Sequence, residues 1–475
     1  MPHKKQTRAI ALAVMLGSSV HTLANPENLD VLEERVRALE AELNAARSEL
    51  ESARNAGEHA GTGDTTASVP VMDVAAAPEA DNHAADEGFV IGPITIGGAM
   101  RVNYVYGDYK TNDNGPSRGG NGGNVELDTF RINASLNYHN WIGGFEYRWY
   151  TAGSGESYNF MRTGWLGYKF DDKQHVEVGL NRVPFGAGPY GISQSWFFDQ
   201  HYYVGLADDP DVGIKYTRKT DSWTLDLGYY NRSEQSFSGR STDSTRYGYD
   251  AVRWNESVND DGTVNFGGSR SGYREKDQFN ARAITNLSSS ESSTDLGASL
   301  QYGSLDGTAL DNGNHWAASI HMVHQRDQLK LGLQISRYEF DVDDENPWGT
   351  DALIPLGAYD FAWTVASQAW LPAVSLSYQI DTPTLPWLDY ALPYVEWSSI
   401  IKDEDSFNDS QLFVLGTAWA RGGWYIYSDL AYSNGNYFVG NENDDYSRID
   451  GVSDFGVNGN DDWYYRFNLN LGYYY

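Results

Sequence analysis

From residue 89 to residue 475, apolar and polar side chains alternate with a period of two, the pattern of strands with one apolar and one polar face. In residues 94–104, Ile94, Ile96, Met100, Val102 and Tyr104 share a face opposite Thr95, Arg101 and Asn103. Phe130, Ile132, Ala134, Leu136 and Tyr138 stand against Arg131, Asn133, Ser135 and Asn137. Trp223, Leu225, Leu227 and Tyr229 oppose Thr224, Asp226 and Gly228. In the last segment Trp463, Tyr465, Phe467, Leu469, Leu471, Tyr473 and Tyr475 oppose Tyr464, Arg466, Asn468, Asn470 and Tyr474. Counting from turn to turn places strand starts near residues 94, 129, 144, 159, 175, 211, 222, 277, 294, 314, 329, 371, 389, 409, 424 and 462. That is about sixteen strands, with the stretches 360–370 and 383–393 the hardest to divide.

Upstream the period is different. Leu29, Leu32, Val36, Leu39, Leu43, Ala46 and Leu50 recur by threes and fours among Glu and Arg, which predicts about three heptads of α-helical coiled coil within 25–56. A solitary amphipathic helix is the alternative. Residues 57–88, rich in Ala, Gly, Thr, Asp and Pro without periodicity, read as a flexible linker. Lys4, Lys5 and Arg8, the apolar run 9–16 and the small residues before Asn25 have the order of a secretory signal peptide over 1–24, with cleavage expected after Ala24.

Composition narrows the reading of the alternating region. The chain has no cysteine, which excludes a disulfide framework and thiolate metal sites. Its net charge of −31 argues against a nucleic-acid partner, and 14% aromatic residues are too many for a solvated disordered chain. A sandwich in water would alternate too, so the spacers decide. Short turns at 139–142, 171–174, 219–222, 326–328 and 421–423 interleave with long polar loops over 108–126, 184–209, 232–276, 341–359 and 433–461. Aromatic residues crowd strand ends, as at Tyr147 and Trp149 or Trp419, Trp424 and Tyr425. Together these predict an all-β fold, a transmembrane antiparallel β-barrel over 89–475 in a bacterial outer membrane, with a water-filled lumen at this strand number.

The segment Val178-Gly-Leu-Asn-Arg-Val-Pro-Phe-Gly186, preceded by Trp165-Leu-Gly-Tyr-Lys-Phe170 and followed by Asp211-Val-Gly-Ile-Lys-Tyr216, resembles the phosphate-selective porin O and P family over the first half of the barrel. A closing strand that ends on an aromatic residue, here Tyr475, is also similar to outer-membrane barrels. The resemblance implies a homotrimeric sixteen-stranded channel with a loop folded into the lumen. This chain lacks the dense ladder of arginines and lysines that phosphate-selecting members carry, which separates it from them.

The alternation puts Arg101, Arg131, Arg148, Arg162, Lys215, Arg282 and Arg466 on the inward face, with Arg182 at a loop base and Glu146, Glu177 and Asp226 among them. Basic side chains in a pore favour anions; the alternative for each arginine is a carboxylate partner that braces the wall. Loop 184–209 carries Tyr190, Gln194, Trp196, Phe197, Asp199 and Tyr202, too aromatic for a surface tip, and is expected to fold inward as a constriction. Packing on other loops or on a subunit is its alternative. The acidic runs 208–211, 341–345, 403–405 and 441–445 read as solvated loop charge that bridges lipopolysaccharide through divalent cations.

No motif for catalysis, cofactor or metal binding survives its context. Gly115-Pro-Ser-Arg-Gly119 lies in a polar loop rather than between strand and helix, and Gly119-Gly-Asn-Gly-Gly123 lacks the lysine of a phosphate loop. Position 352, twelfth from Asp341, is Ala rather than the Glu of a helical calcium loop, and His321 and His324 fall on opposite faces. The chain therefore reads as an outer-membrane porin that passes small hydrophilic solutes with an anion preference. A substrate-specific channel for phosphate or organic anions and a barrel-anchored tether or adhesin are the alternatives. The expected surroundings are lipid, lipopolysaccharide and two further copies of the chain.

Overall fold

The computed structural model describes residues 89–108, 124–151, 157–234, 246–258, 264–266, 271–345, 349–359, 361–381, 386–439, 455–456 and 462–475. The expected signal peptide, coiled coil and linker lie outside the described residues, as do the motifs at 115–123 and the acidic run 441–445.

Sixteen strands form one barrel. They are β1 (Ile94–Gly107), β2 (Asn124–Tyr138), β3 (Trp141–Thr151), β4 (Ser157–Asp171), β5 (Gln174–Arg182), β6 (Pro210–Lys219), β7 (Trp223–Ser233) and β8 (Ser271–Asn286). The second half comprises β9 (Ser292–Thr308), β10 (Gly313–Arg326), β11 (Leu329–Asp341), β12 (Gln368–Tyr378), β13 (Tyr390–Lys402), β14 (Ser410–Arg421), β15 (Trp424–Asn434) and β16 (Tyr464–Tyr474). Each pairs antiparallel with the next, and β16 closes on β1 in a register from Ala99 opposite Tyr474 to Gly107 opposite Arg466. Tyr475 adds a reciprocal backbone pair with Gly98, at 2.8 and 3.1 Å. Closure leaves the barrel no open edge, so every wall strand satisfies its backbone within the protein.

The expected strand number stands, and the bounds shift where strands rise above the wall into the long loops. β8 begins at Ser271 rather than near 277, because Gly272 to Lys276 continue the pairing with β9. In the stretch 360–370, Phe361–Ala366 is not a wall strand. It joins Leu353–Ala358 and Asp250–Ala251 in a separate three-stranded sheet, and β12 follows at Gln368.

The outer face is apolar, with Leu166, Leu300, Ile320, Phe413 and Leu415 all exposed. At the short-turn end Tyr138, Trp141, Phe170, Trp223, Tyr378, Trp424 and Tyr473 are exposed beside the turns, with Trp424 edge-on to Tyr473 at 5.1 Å. A second set, including Tyr106, Trp149, Tyr229, Phe279, Tyr302, Trp370 and Tyr432, is exposed toward the long loops. Amphipathic rings in two bands around an apolar belt match the two interfaces of a bilayer. The tight turns open on left-handed residues, His139 (φ 53°), Asp327 (φ 51°) and Gly422 (φ 52°). A closed, even-stranded barrel with an apolar outside, short turns at one end and long loops at the other belongs in a bacterial outer membrane.

Candidate functional site

The inner face is divided. On β1 to β8 it carries the charged positions expected from the alternation. Arg101 Nε lies 3.0 Å from Asp128 Oδ2, and its guanidinium donates to Thr129 at 2.9 Å. Glu146 gathers three arginines: Arg148 at 2.5 Å, Arg162 at 3.5 Å and Arg131 at 3.6 Å. Lys215 Nζ is 3.0 Å from Glu177, and Arg282 Nε donates to Asp226 at 2.9 Å. The pairing with carboxylates, left open by the sequence, is thus found around these six cations, counting Arg162.

They differ in what they present. Arg131, Arg148 and Arg162 are buried, whereas Arg101, Arg182, Lys215 and Arg282 are partly exposed. Arg466, on β16, is fully buried, with Trp196 and Phe197 stacked 4.7 and 5.0 Å from its guanidinium carbon.

On β9 to β15 the inner face mixes small and aliphatic residues, such as Ala317, Ala369, Leu371, Leu412, Val414, Ala418 and Ala431, with polar ones, such as Gln301, His321, Gln334 and Ser336, and fewer charges than the first half. Segment 183–209, between β5 and β6, lies against this wall. Its backbone needs partners for the N–H groups it takes out of water, and side chains of the far strands supply them. The Gly186 N–H donates to Ser299 at 3.1 Å and that of Ala187 to Gln334 at 3.1 Å. Ser193 Oγ and the Gln194 N–H donate to the two oxygens of Glu396 at 2.6 and 2.5 Å. The Trp196 N–H reaches Asp429 at 3.0 Å and that of Gln200 reaches Ser398 at 3.1 Å. His201, also bonded to Asp199, meets Ser336 at 2.8 Å. The segment returns to the charged wall at its end, where Asp208 pairs with Arg162 and, at 3.1 Å, with Arg182.

Of the aromatic loop positions, Phe197, Tyr202 and Tyr203 are buried, and Trp196 and Tyr190 partly so. Tyr190 accepts a hydrogen bond from Arg182 at 2.7 Å and lies under its guanidinium. A short 3-10 turn, Tyr202–Val204, ends at Gly205 with φ 75°, where a Cβ would collide with the Tyr249 carbonyl oxygen. Only glycine satisfies both conditions. Above it Tyr202, Tyr247, Tyr249 and Tyr359 pack ring against ring, and Tyr202 and Tyr359 share a hydrogen bond of 2.5 Å.

The alternation did not single out Glu396 and Asp429, yet both are buried at inward positions of β13 and β15. Their phase among apolar neighbours was the available signal. The acidic run 208–211 was expected as solvated loop charge, and this is corrected: Asp208, Asp209 and Asp211 are buried. The fold brings Glu234 and Asp250 beside Asp209 and Asp211. Burial, then the neighbouring carboxylates, pushes the Asp209 and Glu234 carboxyls well above the usual range. Asp250 is pushed up to about 7 by burial and Glu275. By contrast Asp343 and Asp344 of the run 341–345 keep contact with solvent, and Asp403 pairs with Arg337 at 2.5 and 2.6 Å.

No protein-family model matches the sequence, and no curated protein matches it. Solved structures do. The outer membrane channel DcaP of Acinetobacter baumannii aligns at 11% identity and a TM-score of 0.49, over 82% of this chain and 99% of that one. The anion-selective porin from Comamonas acidovorans aligns at 11% identity and a TM-score of 0.46, over 80% and 99%. OmpT of Vibrio cholerae, in its trimer form, aligns at 13% identity and a TM-score of 0.46, over 80% and 99%.

Proposed function

We propose that this barrel is a passive channel for small hydrophilic solutes, with a preference for anions, working as a homotrimer. The observation that carries the reading is the division of the inner face. A wall rich in arginine and acid pairs and a less charged wall stand opposite each other, and segment 183–209 is hydrogen-bonded across to the less charged one. Charged groups held in a confined, low-dielectric passage act on an ion more strongly than they would in bulk water. Arg101, Arg182, Lys215 and Arg282, partly exposed cations of the charged wall, are groups a passing anion would meet, as is Lys330 on the other wall. Trp196, Tyr190 and their neighbours narrow the space beside them. Diffusion through such a passage needs no cofactor and no covalent step. The heptads of 25–56 suit three-fold association, and lipid and lipopolysaccharide surround the trimer.

Conductance of the purified full chain in planar bilayers, under a salt gradient, tests this. Steps in groups of three with an anion-favouring reversal potential are expected. A cation-favouring potential would overturn the anion preference. Conductance that saturates with phosphate or an organic anion would point to the substrate-specific channel, and its complete absence to a tether or adhesin.

A further inference from the structure

We propose that Asp209, Asp211, Glu234 and Asp250 bind a divalent cation of the calcium type and that this ion pins the inward segment to the barrel rim.

The four residues come from separate parts of the fold. Asp209 ends the inward segment, Asp211 is the second residue of β6, and Glu234 follows the last residue of β7. Asp250 starts the short strand that pairs with Gly357 of the three-stranded sheet. Each offers one carboxylate oxygen within 4.8 Å of the others. All four are at least 95% shielded from solvent, being 5%, 1%, 1% and 1% exposed.

Part of each of three carboxylates is spoken for. Glu234 Oε1 accepts the N–H groups of Tyr247 and Gly248 at 3.0 and 2.6 Å. Asp211 Oδ2 accepts from Gln278 at 3.3 Å, and Asp250 Oδ2 from Arg246 at 3.4 Å. Asp209 Oδ1, Asp211 Oδ1, Glu234 Oε2 and Asp250 Oδ1, however, meet no N–H or O–H donor among the described residues, and the Glu234 and Asp250 carboxyls lie within hydrogen-bonding reach of each other. A carboxylate oxygen buried without a donor is costly, more so when charged, and four carboxylates that gather one oxygen each within 4.8 Å while carrying such oxygens call for a cation.

The donor set decides which one. It is all oxygen and all carboxylate, without the nitrogen or sulfur that zinc favours. Ligands on opposite sides of an ion held at about 2.3–2.6 Å lie roughly 5 Å apart, which accommodates this cluster. Glu275, which accepts the Ala251 N–H at 2.9 Å, adds a further negative charge beside it, and Arg246 offsets one.

Calorimetric titration of calcium into the chelator-treated, lipopolysaccharide-free full chain tests the site without reference to conduction. One saturable site is expected, with at least tenfold weaker binding in Glu234→Gln and Asp250→Asn. Asp343→Asn, in the solvated run 341–345, should leave affinity unchanged. Heat-shifted migration on gels checks that the variants fold. Should they not, terbium luminescence excited through tyrosine and displaced by calcium reads the same site in the wild type. Absence of saturable binding in the wild type, or undiminished binding in both folded variants, would overturn the proposal.

Discussion

The two halves of the inner wall solve the same problem differently. On β1 to β8 the inward positions are charged and satisfy one another, with Glu146 serving three arginines. On β9 to β15 small and uncharged polar residues predominate, and two acids there, Glu396 and Asp429, take hydrogen bonds from the inward segment. The lesson is that a chain crossing a barrel interior is held where side chains are short enough to let its backbone approach. Ala369, Ala418 and Ala431 leave that room, and Glu396 and Asp429 provide acceptors where the N–H groups arrive. Arginines on that wall would fill the space and leave those N–H groups unpaired.

The sharpest test of this division is to remove what lies between the walls. Replacing residues 187–207 by a short Gly-Ser link should raise single-channel conductance several-fold, because the obstruction lies on the less charged side while the charged wall braces itself. An unchanged step size would mean the segment does not limit flow. Next in size is Glu396→Ala, which strips the partner from both Ser193 and Gln194. A loss of roughly 1–3 kcal/mol for each unpaired buried donor should loosen the segment, seen as faster cleavage within 187–207 by added protease and as noisier channel currents.

On the opposite wall, Glu146→Gln should leave Arg131, Arg148 and Arg162 under-compensated. The reversal potential is then expected to move toward anions by a measurable margin at low salt and less at high salt, as screening predicts. The smallest effect belongs to Tyr190→Phe, which removes the hydrogen bond that Arg182 donates and keeps the ring beneath its guanidinium. A cost of about 0.5–1.5 kcal/mol, read by urea unfolding in lipid vesicles, is expected, with conductance nearly unchanged.

Much of this architecture is legible in the primary structure because alternation is a local property. A strand's inward and outward faces follow from a period of two whatever the strand's neighbours are. Hence the strand number, the apolar belt, the inward phase of Arg131, Glu146 and Asp226, and the sides on which turns and loops lie could all be read before any coordinates. The stretch 361–366 shows the limit. Its alternation is that of a wall strand, yet it pairs with Leu353–Ala358, since pairing depends on which edge is available and not on the strand's own pattern.

Tertiary structure alone decided who meets whom. Ser193 finds Glu396 across 203 positions of chain, and Gln200 finds Asn436 across 236, distances over which no spacing motif operates. The carboxylates at 209, 211, 234 and 250 are likewise scattered through two loops and two strands, so the run 208–211 looks like solvated charge until the fold covers it. Faces are set residue by residue along each strand. Partners are set by the register in which sixteen strands close, and that register is a property of the whole ring.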